Sequence, residues 1–117
     1  MTRVFIELSP FRNAWARLGL GEKDLLLLQE TIVKDPEAGA LIQGTGGVRK
    51  LRFPLPGKGK RGGCRVCYVD FEQYCKTYLL TAYAKKEQEN LTNAEKQTLK
   101  SLVKVLSKEA GRRYHDG

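Results

Sequence analysis

The residues best suited to chemistry are basic side chains concentrated in the middle of the chain. Between Ala38 and Val69 the sequence has no acidic residue. Seven of its 21 lysines and arginines fall there, namely Arg49, Lys50, Arg52, Lys58, Lys60, Arg61 and Arg65. The formal net charge of the chain is +8, so this segment holds nearly all of the excess positive charge. Clustered lysines and arginines attract phosphate groups, which favours a polyanionic partner such as nucleic acid.

Other residue types with catalytic potential are poorly placed. Cys64 and Cys67 have the C-x-x-C spacing of a metal half-site or a redox pair, but residues three apart on a strand point to opposite faces. We therefore interpret them, with Cys75, as packing residues. The single histidine, His115, excludes a histidine-pair ribonuclease. No carboxylate cluster lies near the basic segment, so the sequence predicts neither a metal site nor a cofactor.

The alternation of side chains along one expected strand places two cations on the same surface. Residues 48–53 (VRKLRF) carry Leu51 and Phe53 on one face. The opposite face carries Lys50 and Arg52. We expect this second face to be open, so that both cations can reach a phosphate.

Two further strands are expected downstream. Residues 64–71 (CRVCYVDF) are apolar on both faces, as in a strand covered on both sides, and Arg65 is the exception near the start. In the strand expected at 77–85, we assign to the core Tyr78, Leu80, Ala82 and Ala84. The opposite, more polar face then carries Thr77, Leu79, Thr81, Tyr83 and Lys85.

The loop between the first two of these strands is basic and rich in glycine. Residues 57–62 (GKGKRG) match the G-x-G-x-x-G fingerprint of dinucleotide sites. A strand follows them, however, whereas the fingerprint needs a helix whose N-terminus binds phosphate. We expect instead a hairpin loop that reaches phosphate groups with Lys58, Lys60 and Arg61. A loop that is merely solvated is the alternative.

Helical patterns lie on either side of these strands. Residues 10–18 and 22–34 have apolar side chains at helical spacing, and a capping box from Thr92 to Glu95 opens a last helix that ends at Gly111. A short apolar strand precedes them near the N-terminus. The order β-α-α-β-β-β-α predicts an α+β fold, with a small, mainly antiparallel sheet and the helices packed on one face.

Length and composition predict one domain in the 117 residues. We expect it to span residues 1–111, with 112–117 as a flexible C-terminal tail. No stretch approaches the ~20 apolar residues needed to cross a bilayer. Three cysteines, an odd number, suit a reducing compartment better than a disulfide framework. We therefore expect a cytoplasmic protein without a membrane partner.

Several motifs along the chain resemble one family. They are residues 35–39 (DPEAG), 42–52 (IQGTGGVRKLR), 57–63 (GKGKRGG), 65–68 (RVCY) and 80–85 (LTAYAK). With them the chain resembles the bacterial RelE/ParE superfamily of toxins, and within it the HigB-like branch of type II toxin–antitoxin systems. The resemblance covers nearly the whole chain and implies a RelE-like domain.

The resemblance also implies an activity and its residues. It implies an mRNA interferase that enters the ribosomal A site, cuts mRNA during translation and is neutralised by a cognate antitoxin. The positions that match the basic residues of the family's RNA-cutting members are Lys50, Arg52, Arg65 and Lys85, with Lys86 next to it. Such members often have a tyrosine shortly afterwards, which residues 87–92 lack. Tyr68 or Tyr83 would have to substitute for it.

The chemistry of RNA cleavage suggests a role for each of these side chains. RNA carries its own nucleophile, the 2′-hydroxyl, so a protein has to align it, move two protons and offset the charge on the phosphorane. We assign proton transfer to Lys50 or Lys85, and phosphate binding to the planar side chains of Arg52 and Arg65. Contacts to the RNA are assigned to Arg49, Lys58, Lys60, Arg61, Tyr83 and Lys86.

Two other functions are compatible with the sequence. One is a non-catalytic toxin of the same fold that inhibits another target such as DNA gyrase, as the ParE branch does. The other is an inactive module that binds RNA or DNA. The density of cations at matching positions favours the nuclease, because a protein that merely blocks a partner does not need such a set.

Overall fold

The described part of the chain folds as three helices around one mixed sheet. The computed structural model describes residues 2–55, 63–85 and 90–116. Within these ranges the elements are, in order, β1 (Val4–Glu7), α1 (Ser9–Arg17), α2 (Glu22–Lys34), β2 (Ala40–Leu41), β3 (Arg49–Phe53), β4 (Cys64–Phe71), β5 (Lys76–Ala84) and α3 (Asn93–Asp116). The strand order is β1-β5-β4-β3-β2; β1 pairs in parallel with β5, and the other pairs are antiparallel. The predicted α+β class and main element order are confirmed, with β2 as an addition.

α1 and α2 form a helical hairpin whose apolar side packs on the sheet. Pro10 lies in the first turn of α1, where its missing N–H costs nothing. Gly19 takes the positive φ, +78°, that ends the helix. Asp24 accepts a hydrogen bond of 2.9 Å from the N–H of Gly21 and so caps α2. The hairpin buries Phe11, Ala14, Trp15, Leu28 and Ile32. Full burial of a large apolar side chain stabilises the fold by roughly 1.5–3 kcal/mol.

The sheet is covered on both faces, by different helices. One set of alternate β4 side chains joins the core cluster of α1 and α2: Cys64, Val66 and Tyr68. The other set joins a second cluster with α3: Cys67, Val69 and Phe71. The placement of α3 thus differs from the prediction that all helices pack on one face. A strand as apolar as β4 presents a hydrophobic surface on each face, and each surface needs a layer to cover it.

A bulge in β5 determines which of its side chains face α3 and which face the α1–α2 hairpin. Cys67 of β4 pairs with Thr81, and the next residue, Tyr68, pairs with Leu79. Leu80 is therefore an extra residue of β5 without a partner in β4. After this bulge Tyr83 joins Leu80 on the α3 side, whereas Ala82 faces the α1–α2 hairpin. The predicted core face, which joined Leu80 to Ala82, was therefore wrong. One inserted residue moves every later side chain to the opposite face.

α3 is longer than its sequence pattern indicates. The predicted capping box is present: the Thr92 N–H donates to the Glu95 carboxylate at 2.8 Å, and the Glu95 N–H donates to the Thr92 hydroxyl at 3.1 Å. The helix passes Gly111, its predicted end, and continues to Asp116. A Cβ atom at Gly111 would lie 2.9 Å from the hydroxyl of Tyr74, so this glycine permits close packing and does not end the helix. The predicted domain limits stay predictions. Like α1 and α2, α3 lacks the apolar stretch needed to span a bilayer.

Candidate functional site

Cross-strand pairing brings the predicted basic residues of three strands to one surface. Arg52 on β3 pairs with Arg65 on β4, which pairs with Tyr83 on β5. Side chains at paired positions project from the same face, with Cβ atoms about 5 Å apart. Lys50 lies two residues before Arg52 and shares its face. Lys85 follows two residues after Tyr83, just beyond the end of β5.

These cations line two adjoining cavities. The first has a volume of about 420 Å³, and its lining includes Ala38, Ala40, Lys50, Arg52, Arg65 and Asn90. The second has a volume of about 250 Å³, and its lining includes Arg52, Pro54, Gly63, Arg65 and Lys85. Arg52 and Arg65 line both cavities, whereas Lys50 borders the first and Lys85 the second. We call the four basic residues together the cationic surface.

Arg65 is the most deeply buried member of the cationic surface. It is 7% exposed, and its Nη1 donates a long hydrogen bond of 3.4 Å to the carbonyl oxygen of Cys64. Among the described residues, no carboxylate oxygen lies within 4.0 Å of its guanidinium. The ion pairs within the described ranges are Arg3–Asp70 and Arg49–Glu37, and neither involves Arg65. Burying a charge without a partner costs several kcal/mol. A guanidinium held this way at the floor of two cavities is suited to bind the oxygens of an external anion.

One predicted RNA-binding residue lies away from the cationic surface, and four lie outside the described residues. Arg49 shares the face of β3 with Leu51, and its guanidinium donates to the carbonyl oxygen of Gly39 at 2.9 Å and pairs with Glu37 at 3.4 Å. It borders a separate, acidic cavity of about 510 Å³. Successive side chains of a strand point to opposite faces, so the alternation that places Lys50 and Arg52 on one face already places Arg49 on the other. The residues outside the described ranges are Lys58, Lys60, Arg61 and Lys86.

Tyr83 lies next to Arg65 but is enclosed by the protein. It is 6% exposed, and its hydroxyl has no hydrogen-bond partner among the described residues. Burial raises the pKa of Tyr83 to about 12, with a smaller contribution from Cys67 in the same direction, while Arg65 lowers it. The phenol is therefore neutral at physiological pH. The ring packs in the cluster of α3, which covers this part of the sheet face, and its predicted role as an RNA contact stays a prediction.

The two strand cysteines point to opposite faces, as predicted from their spacing. Cys64 packs in the cluster of the α1–α2 hairpin and Cys67 in the cluster of α3. Burial raises the pKa of the Cys64 thiol to about 11 and that of the Cys67 thiol to about 12. Both thiols are therefore protonated near neutral pH, which makes them poor nucleophiles and poor metal ligands. Across the part of the chain that the structure describes, no group of three potential ligand side chains converges on a metal position.

The wall of the first cavity contains residues that sequence reasoning missed. Lys50 Nζ donates to the side-chain oxygen of Asn90 at 3.4 Å, and Ala38 and Ala40 also line this cavity. Tyr68 fixes the segment before Ala40, because its hydroxyl donates to the carbonyl oxygen of Pro36 at 2.7 Å and accepts from the N–H of Gly39 at 3.0 Å. No motif marks these positions, since their proximity to Lys50 depends on the fold.

Replacing Tyr68 with phenylalanine is expected to lower the free energy of unfolding by about 1–3 kcal/mol, because two backbone groups lose their partner. Urea denaturation measures this loss. The matched control is Tyr83→Phe, which removes a buried hydroxyl without a described partner and should change stability by less than about 1 kcal/mol. Equal losses in the two variants would show that the hydrogen bonds of Tyr68 do not hold this wall.

Two comparisons with known proteins agree with this architecture. Residues 15–113 match the family model described as "RelE toxin of RelE / RelB toxin-antitoxin system". Among solved structures, a double arginine-to-alanine mutant of the E. coli toxin RelE in the free state is similar, with a TM-score of 0.52 and 16% identity over 76% of this chain and 90% of that chain. At this identity the structural likeness shows the shared fold. The HigB-like branch stays a prediction. Since the family model spans most of the sequence, including all three strands of the cationic surface, the chain belongs to the RelE toxin family.

Proposed function

We propose that the protein is a ribosome-dependent mRNA endoribonuclease that inhibits translation and is neutralised by a cognate antitoxin. The observation that carries this proposal is the buried guanidinium of Arg65, which lies between two open cavities without a described carboxylate partner. Membership of a toxin family supports the biological role. The three other cations around Arg65 support a phosphodiester as the bound group.

The proposed reaction needs two proton transfers and one charged intermediate. The 2′-oxygen loses its proton to a base and forms a bond to phosphorus, while the bond from phosphorus to the 5′-oxygen breaks. The products are a 2′,3′-cyclic phosphate and a 5′-hydroxyl, whose oxygen receives a proton from an acid. Arg52 and Arg65 would bind the non-bridging oxygens, where negative charge accumulates in the transition state. Every step uses side chains of the protein and the RNA itself, without a metal ion.

The positions of the lysines suit an in-line displacement. Lys50 borders the cavity on one side of the arginine pair, and Lys85 borders the cavity on the other side. The attacking and leaving oxygens of a phosphoryl transfer lie roughly in line on opposite sides of phosphorus. A phosphate held by the arginines would therefore have one lysine near each of these oxygens. We propose that one lysine acts as the base and the other as the acid.

The cationic surface also suits the proposed partners. Messenger RNA in the ribosomal A site is a polyanion, and a concave basic surface attracts it through phosphate contacts. An acidic segment of an antitoxin could neutralise the same surface and exclude RNA from it. Neither interaction requires a small-molecule cofactor.

Primer extension on a translated mRNA tests the proposed function. The purified wild-type protein is added to a reconstituted translation reaction, and a parallel reaction contains the same mRNA without ribosomes. We expect new 5′ ends inside the reading frame that depend on ribosomes and on the protein. Intact mRNA in both reactions would contradict the proposal. Intact mRNA combined with inhibited DNA supercoiling would support the gyrase alternative.

A further inference from the structure

We propose that α3 carries a second RNA-binding surface, which holds the phosphate backbone of a double-stranded segment of ribosomal RNA while the cationic surface holds the messenger. The inference rests on the proposed function, for which it names a contact with the ribosome. The surface consists of basic side chains at intervals of four residues, namely Lys100, Lys104, Lys108 and Arg112. We call them the basic row. All four are exposed, and none of them lines a cavity of the cationic surface.

The basic row follows α3 along its exposed side. Each step of four residues advances about 6 Å along the helix and turns by about 40°. The row therefore extends over about 18 Å and winds slowly round the helix. Lys96, one turn earlier, has the same spacing but is partly buried, so the row begins at Lys100.

No carboxylate neutralises the lysines of the row within the helix. Side chains three and four residues apart are neighbours on a helix surface. At these positions the three lysines have basic or uncharged neighbours throughout. Within the described ranges the ion pairs are Arg3–Asp70 and Arg49–Glu37, and neither involves the row. Like charges at this spacing destabilise an isolated helix, whereas a bound polyanion offsets their repulsion.

The basic row begins close to the cationic surface. A Cβ atom at Gly46 would lie 3.8 Å from Lys100 Cγ, which places the start of the row beside the loop between β2 and β3. Gly46 and Lys50 are four residues apart and therefore at most about 14 Å from each other. Lys50 also shares its face of β3 with Val48, which packs in the cluster of α3. Both basic surfaces thus lie on the α3 side of the sheet and can contact one large RNA assembly.

The residues around the basic row favour a double-stranded segment over a single strand. Proteins that bind single strands combine cations with aromatic rings on which the bases stack. Between Lys100 and Arg112 there is no aromatic residue. Lysines without stacking groups contact phosphates and do not read bases, which suits the recognition of RNA duplexes by shape and backbone. On a ribosome, such duplexes belong to the ribosomal RNA.

Two variants that each lose three positive charges test the basic row. The row variant combines Lys100→Gln, Lys104→Gln and Lys108→Gln. The control variant combines, at exposed positions of the α1–α2 hairpin, Arg12→Gln, Arg17→Gln and Lys23→Gln. Because the row has no described partner within the protein, the row variant should unfold at the wild-type melting temperature or above it. A marked fall would show that the row serves the fold and would contradict the inference.

Binding to ribosomes without messenger separates the basic row from the cleavage site. Each phosphate contact contributes about −0.9 to the slope of log affinity against log salt concentration. A fourfold increase in salt should therefore weaken wild-type binding roughly 40-fold more than binding of the row variant. We expect the control variant to behave like the wild type. Equal salt dependence in the row variant and the wild type, or an equal loss in the control variant, would overturn the inference.

Directed cleavage tests the kind of partner. Ser101→Cys, at an exposed position next to Lys100, carries an iron chelate that produces hydroxyl radicals. The wild type, treated in the same way, gives the background from the native cysteines. We expect cuts in double-stranded segments of ribosomal RNA. Cuts confined to single-stranded RNA, damage confined to ribosomal proteins, or no cuts above the background would overturn the inference.

Cleavage kinetics distinguish this proposal from the proposed function. The row variant should have a larger KM for programmed ribosomes and an unchanged kcat, because the row docks the ribosome and does not touch the reacting atoms. A wild-type protein that binds empty ribosomes through the row but never cuts mRNA would contradict the proposed function and leave this surface in place. Wild-type KM and kcat in the row variant would overturn the surface and leave the function in place.

Discussion

Replacing Arg65 with alanine is expected to lower the rate of mRNA cleavage on translating ribosomes by at least ~100-fold while the protein stays folded. Loss of one group that stabilises developing charge on an oxyanion typically costs ~10²–10³ in rate. Arg65 lines both cationic cavities, that of Lys50 and that of Lys85. Its loss therefore removes a phosphate contact whichever lysine acts as the base. Primer extension measures the cleavage rate, and thermal unfolding measures whether the fold is kept.

Replacing Arg65 also tests whether the side chain contributes to stability. Because no described carboxylate pairs with Arg65, its removal takes away a desolvation cost and breaks no described ion pair. Arg65→Met, which fills a similar volume with apolar atoms, should therefore be at least as stable as the wild type. A marked fall in its melting temperature would contradict the view that Arg65 is kept for an external anion.

Two controls separate the role of Arg65 from that of net charge. Arg12→Ala removes one positive charge from an exposed position of α1 and should cleave at the wild-type rate. Arg65→Lys keeps the charge but loses the planar fork that binds two oxygens, so we expect it to recover part of the activity. Wild-type cleavage by folded Arg65→Ala would refute the assignment.

Replacing either lysine of the cationic surface with alanine is expected to slow cleavage by ~10²–10⁴, the range for general acid–base catalysis. The two losses should differ in their response to the leaving group. A substrate with sulfur in place of the 5′-oxygen has a leaving group that departs as a thiolate and needs no proton, because thiols are far more acidic than alcohols. We expect this substrate to restore the rate of one variant, Lys50→Ala or Lys85→Ala, and not of the other.

The rescued variant identifies the acid, and the other lysine is then the base. Single-turnover rates on ribosomes programmed with oxygen and sulfur substrates provide the measurement. Lys96→Ala, a change on α3 outside the residues that line the two cationic cavities, serves as the control and should cleave both substrates like the wild type. Rescue of both lysine variants, or of neither, would contradict the division of roles across the arginine pair.

Local patterns in the sequence predicted much of the candidate site. The alternation at 48–53 was sufficient to join Lys50 with Arg52, and the apolar character of β4 marked Arg65 as an exception. Both predictions use only the order of side chains along a single strand, so they do not depend on which strands lie beside it. The same rule places Arg49 on the other face, where its guanidinium binds Gly39 and Glu37, and its predicted RNA contact stays a prediction.

Elsewhere, distant contacts overrode the local pattern. The bulge at Leu80 places Tyr83 on the face of the sheet that α3 covers, beside Arg65, although nothing in the strand's composition signals an inserted residue. Gly111 has the residue type of a helix end, yet α3 continues past it, and the absence of a side chain there permits contact with Tyr74. In both places the outcome depends on a partner far away in the sequence.

By itself, the sequence determined the segregation of charge, the main elements, the opposite orientation of Cys64 and Cys67, and the resemblance to a toxin family. The first three depend on composition and on periods of two and 3.6 residues, and the resemblance depends on short motifs; all of these are local. The tertiary structure alone decided that α3 covers the second face and that Arg65 is buried between two cavities. Those features arise from strand register and from the packing of layers, where residues distant in the chain meet, and no local period encodes such meetings.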